Sequence, residues 1–365
     1  MQSFTSTLLH WFADNARDLP WRHTRDPYAI WLSEIILQQT RIQQGQAYWE
    51  RFMRRWPTVE QLAAATEDEV LREWQGLGYY SRARNLHTAA RQIVDMGHFP
   101  DTFDDIRRLK GVGDYTAAAI ASIAFGLSVA VVDGNVYRVL SRQFGIETPI
   151  NTTEGKHLFA QLAQSLLPPA EPAAFNQAMM DFGAIQCTPQ SPHCLLCPLA
   201  ETCDALRTGR TETLPVKLKK LTVKTRRLTY IYIRCNGETA IRRRGKGDIW
   251  QGLWEPLLIE NTDTAPTNPS PSGELEGGLA LLTSPSPSGE PEGGLAWGTI
   301  PFGQCRLVKA NVKHVLTHRI LMADFYLLET TKKPALPAGF IWIPEADIVD
   351  YAVPRLVEIL LDALP

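Results

Sequence analysis

From residue 1 to about 210, apolar positions recur at helical spacing and no strand-like alternation is evident. Breaks fall at Pro57, Gly76–Gly78, Gly97–Pro100, Gly111–Gly113 and Pro168–Pro169. Asp26-Pro27 reads as a helix start, Asp as N-cap and Pro at the first helical position. Near Leu228 the period changes. LTYIYIRC is rich in β-branched and aromatic residues, and Asn236-Gly237 predicts a tight hairpin before ETAIRRR. ADFYLLE and GFIWI also read as strands, and PRLVEILLDAL as a terminal helix. The pattern predicts a mainly α N-terminal domain followed by a mixed α/β domain.

The chain of 365 residues exceeds a single typical core, which agrees with two domains. We set the first at 1–212, a basic linker at 213–227 and the second at 228–365. Within the second, PSPSGELEGGLA at 269–280 recurs as PSPSGEPEGGLA at 285–296. The surrounding segment, 261–297, is too polar to offset its ordering entropy and is expected to be a disordered insertion. With 44% hydrophobic and 21% charged residues, the chain reads as soluble and globular. Met1–Trp11 has no basic stretch followed by an apolar one, so no export signal is visible and a cytoplasmic location is expected. The uncharged run Thr116–Val132 carries Ala, Ser and Gly126 and reads as buried core rather than a membrane span. A net charge of −2 gives no bulk hint of nucleic acid, so any such binding must be local. Lys217, Lys219, Lys220, Lys224, Arg226 and Arg227 form one basic run, which a solvated linker would equally explain.

Four of the six cysteines, Cys187, Cys194, Cys197 and Cys203, are spaced C-x6-C-x2-C-x5-C. Without an export signal, thiols this close bind metal or stay free. Spacing alone leaves tetrahedral zinc and a cubane iron–sulfur cluster both open. The 6-2-5 pattern resembles that of the endonuclease III-like DNA glycosylases, and this resemblance implies one [4Fe-4S] cluster. Cys235 and Cys305 are isolated and read as packed residues.

Leu109-Lys110-Gly111-Val112-Gly113 before a helical run fits a helix-hairpin-helix. The two glycines let backbone approach closely, and the N–H groups opening the next helix can take a phosphate oxygen. Asp114 argues mildly against an anion there. Twenty residues after Gly113, Asp133 stands in Val-Val-Asp-Gly-Asn135 as an N-cap. Bonds from the next turn are expected to favour its charged form and keep its pKa low. Glu34 shares an apolar helix face with Ile30 and Trp31, so burial should raise its pKa and retain a proton. A neutral acid and an anion are the pair that N-glycosidic cleavage needs, protonating the leaving base and stabilising an oxocarbenium-like sugar.

LPWR at 19–22, WLSEIILQQT at 31–40, GLGYYSRARNL at 76–86, GVGDYTAAAI at 111–120, VDGNVYRVL at 132–140 and FNQAMMDFGA at 175–184 resemble MutY-type adenine DNA glycosylases. The resemblance implies excision of adenine from A:8-oxoguanine or A:G pairs in double-stranded DNA by a DNA-associated monomer. Glu34 would protonate adenine at N7 and Asp133 would stabilise, or transiently bond to, the sugar C1′, with Tyr115 and Asn135 orienting Asp133 and the water. Trp21, Arg22 and Gln177 would line the adenine pocket. Gln39, Leu77 and Tyr79 would fill the vacated stack, Gly111 and Gly113 would grip phosphate, and Arg82 and Arg84 would contact phosphate nearby. Tyr115 stands where endonuclease III-like lyases carry a Schiff-base lysine, so little lyase activity is expected.

RRRGKGDIWQGLWEPLLIE at 242–260 resembles the Nudix-like domain of the same family but lacks the R-E-x-x-E-E helix that holds Mg²⁺. Pyrophosphatase activity is therefore not expected. Leu316-Thr317-His318 matches the family's lesion-recognition loop with its aromatic residue replaced, leaving Thr317 and His318 to hydrogen-bond the lesion. Two alternatives are an endonuclease III-like glycosylase/lyase acting on oxidised pyrimidines and a damage-binding protein without catalysis. The presence of both Glu34 and Asp133 argues against the second.

Overall fold

The computed structural model describes residues 2–218, 224–261, 304–316 and 319–365. The expected insertion beyond Asn261, the pair Thr317 and His318, and Lys219 and Lys220 lie outside the described residues. The chain divides into two compact units, Met1–Glu73 with Arg82–Lys220, and Trp74–Ser81 with Leu221–Pro365.

Among the described residues the first unit is helical throughout. Its helices are α1 Gln2–Asn15, α2 Pro27–Ile36, α3 Ile42–Arg55, α4 Val59–Ala64, α5 Glu67–Glu73, α6 Ser81–Met96, α7 Phe103–Arg108, α8 Asp114–Phe125, α9 Gly134–Phe144, α10 Thr153–Leu166, α11 Pro172–Asp181 and the short α12 Asp204–Arg207. Local chemistry sets their ends. Asp26 caps α2 by accepting the Tyr28 N–H at 3.0 Å, with Pro27 in the first turn. Thr58 and Gln61 form a capping box at α4. Gly126 and Gly145 close α8 and α9 in the left-handed region, at φ 68 and 65. Phe4 and Leu8 of α1 pack with Val139 and Leu140 of α9, Phe159 of α10 and Phe175 of α11 in one buried cluster. Each such side chain contributes about 1.5–3 kcal/mol of burial. The Thr116–Val132 run enters α8 and then a connecting segment, and none of the described helices is long and apolar enough to cross a membrane.

The second unit is built on a sheet of β1 Lys224–Cys235, β2 Glu238–Arg243, β3 Trp254–Glu255, β4 Leu257–Asn261, β5 Arg306–Leu316, β6 Arg319–Thr330 and β7 Phe340–Pro344, followed by α13 Arg355–Leu361. The order is β3-β2-β1-β6-β5, with β4 also pairing β1 and β7 pairing β2. β1 and β6 run parallel along their whole length, from Lys224↔Arg319 to Cys235↔Thr330. The expected hairpin joins β1 to β2, Asn236 and Gly237 both taking positive φ, 51 and 80. β1 begins at Lys224, four residues before the expected domain start, so Lys224, Arg226 and Arg227 belong to a strand and not to a linker. Pairing with β6 and β4 overrides the basic composition of this stretch. Tyr230, Tyr232, Phe325 and Leu327 bury one sheet face against Leu356, Val357 and Leu360.

Candidate active site

Helix packing in the first unit gathers the sequence-selected carboxylates. α2 and α11 both pack on α8, and α11 packs on α9. α2 is buried from Tyr28 to Ile36, and Glu34 within it is 9% exposed. Burial is the main cause lifting the Glu34 carboxyl from the ordinary 4.5 to about 7. A hydrogen bond from Tyr115 and the Arg22 cation act the other way, and the Asp133 charge adds to the rise. Tyr115, in the first turn of α8, has its phenol pushed well above its ordinary value by burial and by both carboxylates. Its hydroxyl also lies 3.5 Å from Met180 Sδ on α11. Glu34, Tyr115 and Asp133 therefore share one low-dielectric environment.

Asp133 caps α9 as expected, Oδ1 accepting the Val136 N–H and Oδ2 the Asn135 side-chain amide, both at 2.8 Å. Its pKa is nonetheless raised, contrary to the sequence expectation. Burial outweighs the cap bonds from Val136 and Asn135 and the Arg138 cation. Asn135 in turn accepts Arg138 Nη2 at 2.8 Å, and Arg138 Nε donates to the Cys187 carbonyl at 2.7 Å. An unbroken chain of hydrogen bonds thus runs from Asp133 to the first cysteine. Gly183 is required beside it, because a Cβ there would sit 2.5 Å from Asn135 Cβ. Asn176 fixes the approach to Asp133, accepting the Val131 N–H at 3.0 Å and donating to the Val129 carbonyl at 2.8 Å.

The residues selected for an adenine pocket separate into different surroundings. Trp21 is buried, edge-on to Trp49 with ring centroids 5.7 Å apart. Gln177 is half-buried on α11. Arg22 makes a two-pronged pair with Asp181, Nη1 and Nη2 each 2.7 Å from a carboxylate oxygen. Arg17 joins them, its Nε 2.7 Å and its backbone N–H 3.0 Å from the same fully buried carboxylate. Burial pushes the Asp181 carboxyl up, but Arg22 and Arg17 outweigh it and leave it below its ordinary value. Arg17, Asp181, Met180 and Arg138 escaped the sequence reading. A basic residue before LPWR and the acid in FNQAMMD were the only signals, and neither discloses a pairing across 164 residues.

The hairpin forms as expected. Gly111 has φ 79, and a Cβ there would meet Asn85 Cβ at 2.7 Å. Gly113 caps α8 with open space around it. Asp114 pairs with Arg107 at 2.6 Å, so its charge is compensated beside the helix end. Gln39 is exposed with φ 56. Leu77 and Tyr79 belong to the Trp74–Ser81 segment, Leu77 buried and Tyr79 exposed with φ 48. Arg82, expected to meet phosphate, instead turns its guanidinium onto the carbonyls of Ile35 and Ile36 at 3.0 Å, because they are left unsatisfied at the end of α2.

Cys187, Cys194, Cys197 and Cys203 are all half-buried free thiols. Among the described residues no three Cys, His, Asp or Glu side chains already stand in metal-holding geometry. The four thiols still lie within electrostatic reach of one another. Burial, helped by the charges of the other three and opposed by a backbone hydrogen bond from Leu199, pushes Cys197 up to about 11. Arg142, almost fully buried, donates to Cys187 Sγ at 3.4 Å and to the Thr188 carbonyl at 2.7 Å. Four sulfur donors within reach of one another, with a buried guanidinium beside one of them to complement the negative charge of a cluster, fit a thiolate-held cluster.

Residues 32–168 match the model of the HhH-GPD superfamily of base excision DNA repair proteins, and residues 229–363 that of the NUDIX domain. The first unit thus has the fold of a helix-hairpin-helix repair protein. A thermostable thymine-DNA glycosylase is similar in structure, at TM-score 0.53 and 33% identity over 56% of this chain and 96% of its own. An endonuclease III trapped covalently on DNA shares the fold at TM-score 0.50 and 24% identity, covering 56% of this chain and 94% of its own. The adenine DNA glycosylase of Buchnera aphidicola (strain Sg) is 33% identical over 264 residues, 72% of this chain and 75% of that protein. The chain belongs to the adenine DNA glycosylase family. The mouse relative is 45% identical over 227 residues, 58% of this chain, and the chain covers 44% of its length.

Proposed function

We propose that this chain hydrolyses the N-glycosidic bond of adenine mispaired with 8-oxoguanine or guanine in double-stranded DNA, acting as a monomer with little lyase activity. The observation that supports this most is the coupling of Glu34, held near pKa 7 by burial, to Asp133 beside the shared Tyr115. In this reading Glu34 delivers its proton to the base as the glycosidic bond lengthens. Asp133, held by Val136 and Asn135, then supplies the negative charge facing the sugar cation, and water completes the hydrolysis. Tyr115 and Asn135 orient the two carboxylates and the water. Arg22, fixed by Asp181, lies within electrostatic reach of Glu34 and is the side chain we assign first to the adenine pocket, Trp21 and Gln177 being assigned there by the resemblance of their motifs.

Extruding a base costs a few kcal/mol of unstacking. Gln39, Leu77 and Tyr79 are the side chains we assign to the vacated stack, an aromatic on a base contributing about 1–3 kcal/mol. The Gly111–Gly113 turn holds phosphate through backbone N–H groups at the start of α8. Cys187, Cys194, Cys197 and Cys203 would hold one [4Fe-4S] cluster, whose contribution is to tie the segment after α11 in place. Thr317 and His318 are assigned to the base opposite adenine. Duplexes carrying A:8-oxoguanine, A:G and thymine glycol, assayed side by side, test the reading. Release of adenine from the first two without strand cleavage is expected, and preferential attack on thymine glycol would overturn it.

A further inference from the structure

The mechanism gives Arg82 no role, and the phosphate contact expected of it from its motif does not account for where its guanidinium lies. Its guanidinium lies over the C-terminal end of α2, where backbone carbonyls lack helical partners and carry partial negative charge. Nη1 reaches the carbonyls of Ile35 and Ile36 at 3.0 Å and also bonds the Gln38 carbonyl beyond the helix end. Both terminal nitrogens lie 3.5 Å from Thr40 Oγ1. Two further contacts pin the same loop. Gln38 Nε2 donates to Thr116 Oγ1 at 3.2 Å, next to Tyr115, and Leu37 packs so tightly on α3 that a Cβ at Gly45 would meet it at 2.6 Å. Between the anchored Gln38 and Thr40, Gln39 stands exposed with φ 56, a region that residues bearing a side chain rarely occupy. Such strained, over-determined positions persist where the surrounding bonds force them.

We propose that Arg82 is a positioning residue, clamping the Leu37–Thr40 loop so that Gln39 is presented to the opened duplex in one conformation. This rests on the glycosylase reading of the site. A simple helix cap would need only the Ile35 and Ile36 carbonyls. The bonds to Gln38 and Thr40 carry the hold into the loop itself, and a planar guanidinium can span these acceptors where an ammonium cannot.

The test is a double-mutant cycle on the full-length chain with Arg82→Lys and Gln39→Ala, repeated with Arg82→Gln. The readout is the single-turnover rate of adenine release from an A:8-oxoguanine duplex at saturating enzyme, a rate that does not depend on the folded fraction. Arg82→Lys should slow release about tenfold with Gln39 present and less than about twofold in the Gln39→Ala background, because coupled residues are non-additive. The fluorescence of 2-aminopurine beside the target adenine should report weaker unstacking by Arg82→Lys only when Gln39 is present. Equal losses in both backgrounds overturn the proposal and leave Arg82 a stabilising cap. A wild-type chain that releases no adenine from any duplex overturns the glycosylase reading, and the proposal with it.

Discussion

Replacing Glu34 by Gln should abolish adenine release and at the same time stabilise the first unit at alkaline pH. The Glu34 carboxyl is lifted from the ordinary 4.5 to about 7 by burial in α2. Between these values the folded chain keeps a proton that the unfolded chain has released, so stability falls as pH rises. The gap corresponds to about 3 kcal/mol, fully present as stability below the unfolded pKa and lost above the folded one. Gln keeps the size and hydrogen-bonding capacity of the acid but cannot ionise. The stability of Glu34→Gln relative to wild type should therefore grow by about 3 kcal/mol from about pH 4 to about pH 8.5. Urea unfolding of the helical unit, followed by far-ultraviolet circular dichroism across that range, measures the difference. Asp133 is present in both chains, and the part of the Glu34 rise that its charge causes is already contained in the gap. A difference that stays flat with pH would refute the placement of Glu34 as a buried neutral acid.

Arg138→Gln should break the link between Asn135 and the Cys187 carbonyl and slow single-turnover adenine release about tenfold or more, while Arg138→Lys recovers part of the loss. Tyr115→Lys should introduce an amine beside Glu34 and Asp133, so borohydride should trap this variant on abasic DNA far more efficiently than wild type. The purified chain should absorb broadly at about 400 nm, and Cys197→Ala should lower both this band and the iron content, whereas a zinc site would be colourless.

The parts of the site legible in sequence were those set by local chemistry. The apolar face around Ile30 and Trp31 announced the burial of Glu34, and the Asp133 cap and the Asn236-Gly237 turn are short-range signals. The protonation tendency of Asp133 was misjudged because cap bonds are local, whereas burial, which outweighs them, is a property of the folded unit. Arg17, Arg22 and Asp181 meet across more than a hundred and fifty residues, beyond any periodicity. Arg82 was expected at a phosphate because nothing local shows that the end of α2 lies against α6. β5 was missed for a different reason. All of its side chains are exposed or half-buried, and a register shift between Lys309 and Val312 interrupts its alternation.

The most direct measurement of the Glu34–Asp133 chemistry is the pH dependence of single-turnover adenine release from an A:8-oxoguanine duplex. With Glu34 as the proton donor, the rate should fall as pH rises through about 7, and Glu34→Gln should bind the duplex as tightly as wild type yet release no adenine at any pH. A rate that holds steady well above that pH, or a Glu34→Gln chain that still excises adenine, would contradict it.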